Sequence, residues 1–88
     1  VQRAESNIER ACEKVAKERG AKLLKIRGEK GWPDRLLIPH MIFCEFKAPG
    51  NELEPLQREI FKRLHDMGVR CYEIDNKLLF MRILSGGL

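Results

Sequence analysis

Three side chains in the middle of the chain, Asp34, Glu45 and Lys47, have the types and spacing to do chemistry on a phosphate. Glu45 and Lys47 stand two residues apart at the end of the apolar run that begins at Met41. On an extended chain they leave the same face, while Phe46 between them points the other way, into packing. Asp34 follows Pro33 and opens a second apolar run, Leu36-Leu37-Ile38. Pairing the two runs brings its carboxylate to the same end as Glu45. Two carboxylates supply hard oxygen ligands for magnesium or manganese, and such an ion polarises a phosphate ester and lowers the pKa of bound water. A lysine beside the ion can orient that water or stabilise charge developing on the phosphate. The plain alternative for Glu-x-Lys is an ion pair on a solvated strand. Against it, charges set in an apolar strand cost free energy unless something matches them.

Such a site needs a sheet, and the hydrophobic pattern supplies one. Glu5 to Arg19 places Ile8, Ala11, Cys12, Val15 and Ala16 on one side of a helix that Gly20 stops. Ala21 to Ile26 reads as a first strand and Arg27 to Pro33 as a loop, marked by two glycines and a proline. The run from Leu36 is the second strand, and Met41 to Phe46 the third, apolar enough to be buried on both faces. Ala48-Pro-Gly-Asn51 breaks it. A second helix from about Glu54 to Met67 has Pro55 in its first turn and Gly68 at its exit. Val69 to Ile74 is a fourth strand, and Lys77 to Leu84 fits either a strand or a short helix. The short loops make the first three strands an antiparallel meander, and the second helix returns the fourth parallel to the third. The expected class is therefore α/β, order α-β-β-β-α-β, with a mixed sheet flanked by helices.

Eighty-eight residues make one domain, 1–88, without room for two cores. At this size oligomerisation is a natural way to bury more surface. The longest uncharged stretch, Leu36 to Cys44, falls short of the roughly 20 apolar residues a membrane helix needs, and no signal peptide is expected ahead of the first helix. Net charge is +4 and the pI about 9.2, a lean toward anionic partners. Cys12, Cys44 and Cys71 sit in apolar stretches without CxxC spacing and read as reduced core thiols of an intracellular protein. His40 and His65 have no ligand-like spacing to any cysteine, which argues against a zinc site.

Glu5-Ser-Asn-Ile-Glu9, Gly31-Trp-Pro-Asp-Arg-Leu36, Glu45-Phe-Lys-Ala-Pro-Gly50 and Leu56-Gln-Arg-Glu59, in this order, resemble the VRR-NUC domain. That is the virus-type replication-repair nuclease branch of the PD-(D/E)XK superfamily. The resemblance spans Glu5 to about Asp75 and implies a restriction-endonuclease-like core. It further implies that Asp34 and Glu45 bind Mg²⁺ or Mn²⁺ and that Lys47 serves the nucleophilic water. Gln57 matches the family's glutamine, expected near the metal or the phosphate. Glu5 matches an acid on the family's first helix, with Glu9, one turn later, as the alternative ligand. Standalone members resemble phage and bacterial proteins. The resemblance thus implies a homodimer acting on branched DNA such as Holliday junctions, in the cytoplasm of a bacterial or phage-infected cell. Paired sites related by a twofold axis suit a four-way junction.

Lys25, Arg27, Lys30 and Arg35 flank the site and are candidate contacts to the DNA backbone, or else ordinary surface cations. Trp32 could stack on a base or wedge a junction open; its plain alternative is packing or a dimer contact. A catalytically silent nucleic-acid-binding module of the same fold is the competing functional expectation. His40 and His65 receive no role.

Overall fold

The chain crosses its central sheet so that one helix pair covers one face and a single helix the other. The structure, a computed structural model, describes residues 2–87. Helix α1 (Gln2–Glu18) leads into strands β1 (Lys22–Lys25), β2 (Arg35–Ile38) and β3 (Ile42–Phe46). Helix α2 (Pro55–Asp66), strand β4 (Cys71–Ile74) and helix α3 (Lys77–Leu84) follow. The sheet order is β1-β2-β3-β4. The first two pairings are antiparallel, and β4 lies parallel to β3 after the α2 crossover. This is an α/β fold with a mixed sheet. Lys77–Leu84, ambiguous between strand and helix, is helical, and the Asn76 side chain caps it by accepting from the Leu79 N–H at 2.8 Å.

Strand alternation sorts the core into two halves. Leu37, Ile42, Cys44, Phe46 and Ile74 face one side, where Cys12 and Ala16 of α1 and Phe80 and Ile83 of α3 close over them. On the opposite face Ile60, Phe61 and Leu64 of α2 pack on Cys71, Phe43 and Trp32. The sheet is thus buried on both faces, which explains why β3 reads as almost continuously apolar rather than alternating.

Gly31 ties the loop before β2 to α2. Its φ of +90° suits glycine, and a Cβ there would sit 2.6 Å from Leu56 Cγ and 3.0 Å from Leu56 Cδ2. Gly31→Ala is expected to cost about 1–3 kcal/mol through backbone strain and displacement of the first turn of α2. Urea denaturation checks this; an unchanged midpoint contradicts the contact.

Candidate active site

Asp34 and Glu45 meet at one end of the sheet because of register. Arg35 pairs with Cys44, so the preceding Asp34 falls opposite Glu45 where β2 begins and β3 ends. Cys44 and Phe46 point into the core under α1 and α3, which turns Glu45 toward α2. Lys47 lies one residue past β3, but its N–H still donates to Ile74 O at 2.9 Å. The pleat therefore continues through Lys47 and sets its side chain on the Glu45 face.

Glu45 is the one charged residue buried among the described residues, at 8% exposure. Its carboxyl is pushed up from the ordinary 4.5 to about 7, chiefly by burial and next by the negative charge of Asp34. The Lys47 ammonium and a hydrogen bond from the Asp34 backbone pull the other way, while Glu5 adds a smaller upward push. Asp34, Lys47 and Glu5 thus all act on this carboxylate. Asp34 itself is exposed and Lys47 half-buried.

Gln57 completes the surroundings from the first turn of α2. Its Oε1 accepts the Glu54 backbone N–H at 2.8 Å, and its Nε2 donates to Glu45 Oε2 at 3.3 Å. Only the amide oxygen can accept from the backbone, so the orientation of the amide is settled and its nitrogen must face the carboxylate. Capping of α2 and placement of Glu45 are one arrangement, with Pro55 at the helix start, where a missing N–H costs nothing.

Glu5 and Glu9 take different roles. Glu9 accepts from Arg35 Nε at 2.9 Å, and Glu13 lies 3.5 Å from Arg35 Nη1. Burial raises the Glu9 pKa more than Arg35 lowers it. Arg35 donates also to Leu23 O, and its side chain is only 12% exposed. The residue read as a DNA contact therefore turns inward and pins α1 to the sheet, away from the solvent where a phosphate would meet it. Lys25, Arg27 and Lys30 are exposed at the site's flank. Trp32 is half-buried, packed against the α2 cluster and Gly28.

No family model matches the chain, and no curated protein matches it closely enough to place it.

What the site can do follows from its own donor set. Among the described residues no three His, Cys, Asp or Glu side chains converge tightly enough to enclose a metal ion. A magnesium-type ion, however, is commonly held by one or two carboxylates and keeps several waters. A buried carboxyl driven toward neutrality by a second acid is one that a dication would return to its charged form. Asp34 and Glu45 fit that ion, with Glu5 further out on α1. One acid escaped the reading of the sequence: Glu73 on β4 is the register partner of Glu45. Nothing in local spacing marks it, because the register of a parallel pair is set by a crossover of many residues.

Proposed function

We propose that this chain is a metal-dependent DNA endonuclease with a restriction-endonuclease-like core of the VRR-NUC kind. The observation that carries the reading is the buried Glu45 carboxyl, with Asp34 opposite, Lys47 on the same face and Gln57 donating to it. Mg²⁺ or Mn²⁺ bound by Asp34 and Glu45 supplies a Lewis acid for the scissile phosphate and an acidified water. The remaining chemistry belongs to the protein. Gln57 holds Glu45 in a fixed rotamer, and the Asp34 backbone hydrogen bond favours its charged form. Lys47 extends beside them as a cation for the attacking water or for charge on the phosphate. Exposed Lys25, Arg27 and Lys30 offer the DNA backbone a cationic approach.

Branched DNA is the substrate that the resemblance favours, cut by a homodimer with paired sites. Incubation of the purified chain with plasmid and four-way-junction DNA, in magnesium, manganese or chelator, tests the activity. Metal-dependent cuts are the expected result. The loose arrangement of the acids favours one alternative, a silent DNA-binding module. Retention of DNA without cuts under any metal selects it, and neither binding nor cutting overturns both readings. A strictly monomeric mass in solution would defeat the dimer.

A further inference from the structure

Glu73 stands beside the proposed site with an unmet need. As the register partner of Glu45 in the parallel pair, it shares the α2 face of the sheet. Its Oε2 is buried and has no hydrogen-bond partner. Buried acceptors are almost always satisfied, and a carboxylate oxygen left bare is costly.

The nearby donors can be sorted by what they already hold. Gln57 Nε2 is committed to Glu45, Arg58 to Leu53 O and Glu52, and Arg63 to Glu59. Lys47 remains. Its backbone bond to Ile74 keeps it in the pleat, so its side chain leaves the same face as Glu73, on the diagonal. Diagonal neighbours on one face lie about 7–8 Å apart, within reach of a long side chain. Among the described residues no carboxylate lies within ion-pair distance of Lys47. An acceptor lacking a donor adjoins a donor lacking an acceptor.

We propose that Glu73 is a positioning residue for Lys47, its Oε2 taking a hydrogen bond from the ammonium and holding the amine off Glu45 at the mouth of the site. The inference rests on the nuclease reading for its purpose. An ammonium and a dication compete for the same carboxylate, and a second anion on β4 gives the ammonium somewhere else to bond. Glu45 is then free for the metal, and Lys47 is held at the edge of the site where water and phosphate arrive.

Two measurements on the full chain test this. In ¹⁵N-labelled, metal-free protein at low temperature, the Lys47 ammonium should give a resolved ¹H–¹⁵N signal, slowed in exchange by its acceptor. That signal should vanish in Glu73→Leu and survive in Glu45→Gln. Its absence from the wild type, its persistence in Glu73→Leu or its loss in Glu45→Gln overturns the contact. On DNA, Glu73→Leu should lower kcat about tenfold, the scale of losses seen for supporting partners of metal sites, with KM and Mn²⁺ affinity unchanged. Glu73→Gln, which keeps an acceptor oxygen and the volume, should recover part of the rate and serves if the leucine variant fails to fold. In a Lys47→Met background Glu73→Leu should cost nothing further; an equal loss in both backgrounds would mark a purely structural role and sink the proposal. A wild type that cuts no DNA defeats the nuclease reading, while the ammonium signal still decides the contact.

Discussion

Glu45→Gln should cut DNA at least about a hundredfold more slowly than the wild type, since even supporting partners of metal sites cost 10–100-fold when lost. Without metal it should nevertheless melt at a higher temperature at pH 8. Both effects come from one buried charge. Folding raises the Glu45 pKa from 4.5 to about 7, through burial first and the charge of Asp34 second. Between those values the folded chain holds more protons than the unfolded one, so stability falls as pH rises. The contribution is complete below about 4.5 and gone once pH passes about 7. Glutamine keeps the volume and can still accept from Gln57, but it never ionises. The gain at pH 8 is on the order of 2 kcal/mol, or several degrees in Tm for a domain of this size. Thermal melts in chelator at pH 5.5 and pH 8 check it. Parallel wild-type and variant slopes would show that Glu45 does not titrate in this window, and undiminished cleavage would remove it from the metal site.

Lys47→Met should lose cleavage by about 10²–10³-fold, the range found when one preorganised group that stabilises transition-state charge is removed. DNA retention at low salt should persist, because the exposed Lys25, Arg27 and Lys30 lie on other segments. Mn²⁺ binding should not weaken, since the substitution removes a cation beside the carboxylates. Cleavage and DNA binding can be measured on the same junction substrate. Loss of both together would make Lys47 an anchor for DNA rather than part of the reacting centre. Full activity would strike it from the site.

The placement of these residues was open to a reader of the sequence because it depends on short-range rules. Two-residue alternation puts Glu45 and Lys47 on one face, and Pro33 followed by a three-residue apolar run starts the neighbouring strand at Asp34. What escaped depends on distant docking. Arg35 reads as a free cation until α1 is laid across the sheet and Glu9 meets it at 2.9 Å. Lys77–Leu84 is apolar at Leu78, Leu79, Phe80, Ile83 and Leu84, which blurs helical and strand periods. The signal that separates them is Asn76, a residue suited to capping a helix. Gln57 carried no mark in the periodicity of α2. It came only from the family resemblance, and its double hydrogen bond explains why a glutamine suits that turn.

The three thiols supply a clock for opening of the molecule. Cys12 and Cys44 are fully enclosed, and burial pushes both up to about 12. Thiol reagents attack the thiolate and need access, and these two sulfurs offer neither while the interior is shut. They sit on α1 and on β3, so modifying either requires the first helix to part from the sheet. The rate at which a chromogenic disulfide titrates them therefore times that separation, without any engineered label. Adding manganese in the same cuvette should lengthen the interval if ion capture at the far edge of β3 stabilises the closed form.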